Sequence, residues 1–538
     1  MAIQGYILNS GQGPYVPNIS LQEHILNMFR KDLDRTTMID VDTGTSYTSR
    51  YLLEASVRLA HALKTYGVEM GDRISIASDN HPNYVVAGIA ILSAGGIYAP
   101  LNPAYTEREY RHMLDIIEPR VMFVSRRCEA IMAKIAPTLK SKMHIIQIED
   151  EAVDSKFPRI KQLVEKYKNA VDPYTFMPLP IDDNTKRVAL IMASSGTTGF
   201  PKGVALSHQN MLTFISNFRQ PHLFDCRKDD QLINFLPLFH GYSFGIFLLA
   251  VSNAACICLM RRFNLETLLQ SIGKYKITHM PLVPPVLVQI AKHPQITKYN
   301  FDSVREVLCG AAPLPKDMAD EACKRIKCPS IRNGYGMTEL SIVTNLSSRD
   351  CGNENDNVGP LTPGMLCKII NPETGEVLAP GEIGEVCFKG DHVMLGYFKN
   401  PKVTAETIDK DQWLHTGDLG YLNTDGILYI SGRLKELIKY KGYQVSPSEI
   451  ETLIQSHSGV KDAAVIGVPH PESGEVPMAF VVKQPNSMVT AEEIIAFNNK
   501  NFSPQKWLRG GVRFVDAISK TPSGKIIRRE LLNLVSKM

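Results

Sequence analysis

The 538-residue chain lacks any Cys-x-x-Cys pair, although it carries ten cysteines. The usual zinc and redox spacings are therefore absent, and scattered cysteines in a long chain fit reduced thiols in a cytosol-like compartment. It has no Lys/Arg run resembling a basic tail. Its 59 Lys+Arg against 55 Asp+Glu leave a net charge of +4, too little over this length to argue for nucleic acid or an anionic membrane as partner. The opening MAIQGYILNS lacks a basic stretch followed by an apolar one, so no secretory signal is expected. Unbroken apolar runs are missing too. Tyr84 to Leu101 is interrupted by Gly95-Gly96 and Pro100, and Phe244 to Met260 by Ser252-Asn253. Each is near the minimum spanning length and reads as a buried helix running into a buried strand, so no transmembrane span is expected. No internal repeat or low-complexity tract is visible.

What is present is an ordinary globular composition, 44% hydrophobic and 21% charged. At roughly 100–200 residues per domain, the length suggests about three or four domains or subdomains. Helix-like and strand-like segments alternate through most of the chain: Leu52 to Tyr66, then Arg73 to Ala77; Val85 to Leu92, then Gly96 to Leu101; Glu107 to Ile117, then Val121 to Val124. This alternation predicts an α/β fold with helix-covered, mostly parallel sheets. From Cys351 to about residue 432, short β-like runs sit among Gly, Pro, Asn and Asp, which predicts a small β-rich subdomain. The expected division is a large unit over 1–432, a hinge at 433–435 and a mobile α+β unit over 436–538.

The segment LIMASSGTTGFPKG, Leu190 to Gly203, ends an apolar strand in a loop of small and hydroxyl residues with one lysine. Such a loop can fold its N–H groups around a phosphate, with Lys202 adding a cation. It is not the P-loop pattern, since Pro201 precedes Lys202 and Gly203 follows it. A flexible Gly/Ser loop is the plainer alternative. Further segments follow in order: LPLFH (236–240), CGAAP (309–313), NGYGMTE (333–339), TGD (416–418), GRLKELIKYKGYQV (432–445) and PSGK (522–525). Each string is weak by itself. As an ordered set they resemble the adenylate-forming superfamily, which includes acyl-CoA synthetases, 4-coumarate–CoA ligases, beetle luciferases and peptide-synthetase adenylation domains.

The resemblance implies ATP, Mg²⁺ and CoA as small-molecule partners of a carboxylic acid, and it implies roles residue by residue. Ser194, Ser195, Gly196, Thr197, Thr198, Gly199 and Lys202 would hold phosphates. Gly310, Ala311, Ala312, Pro313 and Tyr335 would hold adenine, and Asn333, Gly334 and Gly336 would also bind the nucleotide. Asp418, a carboxylate read as lying on a loop, suits a ribose diol because two oxygens can accept two hydroxyl protons; an Asx-turn is the alternative. The resemblance gives it to the ATP ribose, with Arg433 in support. Glu339, also read as a loop residue, offers a hard oxygen for Mg²⁺, with Thr198 as a further metal residue and Thr338 near the phosphates; a helix-start acid is the alternative. Lys525 would stand between the acid and the α-phosphate during adenylation, relieving repulsion between two anions. His240 would line or gate the acyl channel, or else be a core histidine. Lys435 falls at the hinge. Rotation of the tail would bring Lys439, Gly442 and Tyr443 to the intermediate and the CoA pantetheine.

LIKYKGYQV (437–445) and LRGGVRFVD (508–516) look closest to beetle luciferases and insect luciferase-like acyl-CoA synthetases. Two departures lean away from a beetle-type luciferase. Ile342 stands where those enzymes usually carry a small polar residue, and Leu212-Thr213-Phe214 lacks their usual Arg. The expected activity is an ATP-dependent acyl-CoA ligase acting on medium- or long-chain fatty acids or arylpropenoic acids. A luciferase sharing the adenylation step, with oxygen in place of CoA, is the alternative; an inactive acyl-adenylate-binding or lipid-binding relative is a remote one. The Ser536-Lys537-Met538 end resembles the S-K-L import address and suggests the peroxisome, through its import receptor, rather than the cytoplasm.

Overall fold

The computed structural model describes the chain except for residues 1, 5, 141, 195–200, 313, 315, 329–330, 350–356, 442, 522–523 and 537–538. The helical repeat seen in the sequence becomes the helix Ser49–Thr65. Its Thr48 cap accepts from the Tyr51 N–H, and its apolar face, including Leu52, Leu59 and Leu63, is buried. Thr106 and Glu109 form a reciprocal capping box at the start of Glu107–Ile117. The two suspect apolar runs resolve as helix followed by strand. They are Pro82–Ser93 with Ile97–Leu101, and Gly241–Ser252 with Cys256–Leu259. Their helices are apolar nearly all round because protein encloses them. Among the described residues no helix is long and apolar enough to cross a membrane.

Two large sheets carry most of the chain. One has seven strands, in the order Gly396–Tyr397, Lys202–Ser207, Val188–Ser194, Ile97–Leu101, Arg73–Ala77, Val121–Val124 and His144–Gln147. The other has eight, with a parallel centre (Ile331–Tyr335, Glu306–Cys309, His279–Leu282, Gln231–Asn234, Cys256–Leu259 and Thr36–Asp40) and an antiparallel strand at each edge. Parallel strands end on the same side, so their C-terminal loops collect in one place.

A third, six-stranded antiparallel sheet holds Met365–Ile370, Gly384–Gly390, Leu414–Leu422 and Leu428–Arg433. It also takes in Ala2–Gln4 and Ile7–Asn9 from the start of the chain. This extends the β-rich region expected from residue 351 onward. Strands so short and so far away in sequence leave no local signal. Arg433 ends the last strand of this sheet, a 3₁₀ turn covers Leu434–Glu436, and Ile438 opens a five-stranded sheet in the tail. That last sheet pairs Val460–His470 with Gly474–Lys483 over most of their length and is backed by Pro447–Ser456 and Ala491–Asn501.

Candidate active site

A cleft of about 2190 Å³ runs between the large sheets, the six-stranded sheet and the tail. The strand Val188–Ser194 delivers Ser194 to it, and the antiparallel return strand delivers Lys202, the cross-strand partner of Ser194. Ser195, Gly196, Thr197, Thr198 and Gly199, expected to wrap phosphate between these two, lie outside the described residues, as do Pro313, Gly442, Lys537 and Met538.

Glu339 stands in a short 3₁₀ turn, Thr338–Leu340, rather than in an open loop. The turn is tight because a side-chain carbon at Gly336 would come within 2.1 Å of the Ile342 carbonyl oxygen, so only glycine fits there. Glu339 is 4% exposed. Its Oε1 accepts from Ser194 Oγ at 2.7 Å and from the Tyr397 hydroxyl at 3.0 Å. Lys202 Nζ lies 4.7 Å above the centre of the Tyr397 ring. Tyr397 thus links the carboxylate to the lysine, a part that no spacing in the sequence announced. It arrives only because Gly396–Tyr397 pairs with Lys202–Ser207.

The second cluster lies on the six-stranded sheet. Asp418 sits within the strand Leu414–Leu422, not on a loop; Gly417, at φ +70°, re-aims the chain just before it. Its cross-strand partner is Arg433, whose Nε approaches Asp418 Oδ1 at 3.3 Å. The Tyr335 hydroxyl donates to Asp418 Oδ2 at 2.6 Å, and its ring stacks near Phe388. Burial raises the Asp418 pKa more than Arg433 lowers it. Burial, reinforced by the Asp418 charge, pushes the Tyr335 hydroxyl well above its ordinary value. Gly310, Ala311, Ala312, Asn333, Gly334, Gly336 and Thr338 border the same cleft. Ala311 holds φ +72°, a strained value for a residue with a side chain.

The tail brings in Lys525. The preceding Gly524 holds φ +85°, and the Lys525 N–H donates to Thr521 Oγ1. Desolvation lowers the Lys525 pKa and Arg433 adds to this, while Asp418, Glu339 and Glu436 oppose it. Lys525 is therefore partly buried among the charges of both clusters. His240 caps the helix Gly241–Ser252, its Nδ1 accepting from the Tyr242 N–H. Desolvation and then Lys525 push its pKa down to about 4, so its imidazole is neutral at physiological pH.

From His240 the cleft continues as an apolar channel along Phe214, Phe218, Ile246, Leu249 and Ile342. A side-chain carbon at Gly245 would lie 2.7 Å from Ile342 Cδ1 and 3.0 Å from Phe214 Cζ, so glycine makes room for both. Ile342 holds φ +87°, a strained value for a β-branched residue.

Three expected residues lie elsewhere or bridge regions. Lys439 and Tyr443 sit exposed on the paired strands Ile438–Tyr440 and Tyr443–Val445 of the tail sheet and do not border the cleft. Lys435 borders it from the turn joining the two sheets. Beside it, Glu436 meets Arg433 at 3.4 Å and Arg528 at 2.9 Å, and Arg528 reaches Glu451 at 2.6 Å. Neither Glu436 nor Arg528 was singled out by sequence, because each matters only through partners on other elements.

Residues 27–398 match the AMP-binding enzyme family, and residues 449–525 match the AMP-binding enzyme C-terminal domain. The chain belongs to this family, the adenylate-forming superfamily. Among its relatives, a probable 4-coumarate–CoA ligase 3 of Dictyostelium discoideum is 36% identical over 98% of this chain and 97% of its own. A luciferin 4-monooxygenase of Luciola mingrelica is 33% identical over 92% of this chain and 90% of its own. ATP-bound MatB from Rhodopseudomonas palustris superposes with a TM-score of 0.84 at 26% identity, covering 96% of this chain and 99% of that one.

Proposed function

We propose that this adenylate-forming, CoA-ligase-type enzyme activates a medium- or long-chain fatty acid or an arylpropenoic acid as its acyl-adenylate and passes the acyl group to CoA. The observation that carries this reading is the meeting of Lys525, from the tail, with Asp418, Arg433 and Glu339, from the large unit, at the mouth of an apolar channel. Asp418 suits the ribose hydroxyls, and Tyr335 suits the adenine face. Lys525 suits the gap between a carboxylate and the α-phosphate. There the carboxylate oxygen forms a bond to phosphorus, and pyrophosphate leaves with the bonding electron pair. No protein nucleophile is needed, and positioning with charge stabilisation supplies the catalysis.

The Glu339 corner fits Mg²⁺. Its carboxylate is buried, and both hydrogen bonds described to it end on Oε1 and none on Oε2. Mg²⁺ is commonly held by one or two carboxylates together with substrate phosphates. When bound, the ion would neutralise phosphate charge.

In the second half-reaction the CoA sulfur attacks the acyl carbonyl and AMP departs. Lys439 and Tyr443, now facing solvent, would reach the site only after the tail turns about Lys435. The likeness to a luciferin 4-monooxygenase supports a light-emitting alternative with the same first step. Ile342 favours the ligase, because an apolar side chain there suits an alkyl tail better than a heteroaromatic luciferin. The test is exchange of labelled pyrophosphate into ATP with a panel of acids, followed by mass spectrometry of products formed with CoA. AMP and a thioester are the expected products. Light on adding luciferin without CoA would favour the alternative, and failure of every acid to support exchange would refute both.

A further inference from the structure

Outside the acid-activating machinery, three potential metal ligands come together on the six-stranded sheet. Glu385 and Cys387 lie two residues apart on Gly384–Gly390, and His415 is the direct cross-strand partner of Cys387 on Leu414–Leu422. Their ligand atoms all lie within 4.8 Å of one another. His415 Nδ1 is 2.9 Å from Glu385 Oε2 and 3.6 Å from Cys387 Sγ. Zinc bonds of about 2.0–2.1 Å to nitrogen and about 2.3 Å to sulfur, at tetrahedral angles, place those two atoms about 3.5 Å apart. The sulfur–nitrogen spacing already matches, and the carboxylate would need to withdraw by a few tenths of an ångström.

The surroundings fit a ligand histidine. His415 Nε2 faces Asp409 Oδ2 at 3.5 Å, the carboxylate–imidazole arrangement that fixes a ring so that its other nitrogen can coordinate. Glu385 Oε1 accepts from the Gly417 N–H at 3.0 Å, which anchors the carboxylate while Oε2 stays directed at the cluster. Lys368, the neighbour of Cys387 on the other side, stacks its ammonium on the Trp413 ring at 4.4 Å. Cys387 is fully buried, whereas Glu385 and His415 border the cleft and provide a way in.

We propose that Glu385, Cys387 and His415 form a three-ligand site for one borderline-soft divalent cation of the zinc type, separate from the hard carboxylate corner at Glu339. One thiolate, one imidazole and one carboxylate suit zinc or cobalt over magnesium, and the fourth position opens to the cleft. The site stands whether or not the chain activates acids. The β-bulge between Glu385 and Cys387 helps bring the two side chains to bear on one point.

The test uses the full chain stripped of metal, without nucleotide, titrated with Zn²⁺ against a chromophoric chelator and separately with Co²⁺. One Zn²⁺ per chain and a thiolate-to-cobalt charge-transfer band are expected. Cys387→Ser should abolish the band, and it and His415→Asn should each weaken zinc binding at least tenfold. Asp409→Asn should weaken it less. No stoichiometric zinc uptake, a cobalt complex without the thiolate band, or zinc affinity unmoved by Cys387→Ser would each overturn the proposal. Should Cys387→Ser fail to fold, the band on the unaltered chain decides.

Discussion

Glu339 and Lys525 face each other across one cleft but are held in different ways. Glu339 is fixed by hydroxyls of Ser194 and Tyr397, both on strands of the seven-stranded sheet. Among the described residues Lys525 Nζ has no hydrogen bond, and it is placed by its turn and by the charges of Asp418, Glu339 and Glu436. A group that must stay is bound by short, directional contacts. The turn of the tail proposed above would have to undo only longer-range attraction at Lys525. The salt bridges from Arg433 through Glu436 and Arg528 to Glu451 lie between these extremes, tying the Leu434–Glu436 turn to the tail.

The comparison breaks most sharply at Lys525. Lys525→Ala should lower acid-dependent pyrophosphate exchange by about 10²–10³-fold, the usual cost of removing one preorganised charge. Equilibrium ATP binding should change far less. Equal losses in both would mean that Lys525 merely grips nucleotide. Because burial and Arg433 lower the Lys525 pKa, exchange should also decline towards alkaline pH earlier than a solvated lysine would require. Ile342→Ala should raise KM for a long apolar acid by about tenfold, within the range for losing a methylene or two from an apolar pocket. An unchanged KM would remove Ile342 from the channel wall.

Glu436→Gln tests the fastening. Partly exposed ion pairs contribute little, about 1 kcal/mol or less, so exchange should fall only severalfold. Thioester formation from preformed acyl-adenylate should be spared or quickened, which a rapid-quench measurement would show. A separate effect concerns stability. Burial pushes His24, His81, His208, His240 and His392 down to about 4. Each binds a proton more readily when unfolded, so the stability it allows is complete above its ordinary value of 6.5 and drains away as pH falls towards 4. The thermal midpoint should therefore drop between about pH 7.5 and about pH 5, and a flat profile would contradict the neutral buried state of these rings.

Much of the fold was legible because its signals are local. The helical repeat before Tyr66, the helix from Glu107 to Ile117 and the broken apolar runs each reflect interactions within a few residues. The motif set led to the cleft for the same reason, since Ser194, Glu339, Asp418 and Lys525 each sit in a distinctive short string. Asp418 was misplaced onto a loop because glycine before a carboxylate also marks turns, and only pairing with Arg433 keeps it in a strand. Tyr397, Gly245, Glu436 and the trio Glu385, Cys387 and His415 gave no sign, because their meaning lies in neighbours far along the chain.

By itself the sequence determined the alternation of helix and strand, the family and the kinds of side chain available for handling ATP. Periodicity, capping and glycine-bearing turns act over short distances and are written directly in residue order. The tertiary structure alone decided that the first strands join a sheet built mainly after residue 364. It also decided that the Tyr397 hydroxyl meets Glu339 and that Ile342 meets Phe214 across Gly245. Those outcomes depend on sheet pairing and close packing between distant segments, which no local pattern encodes.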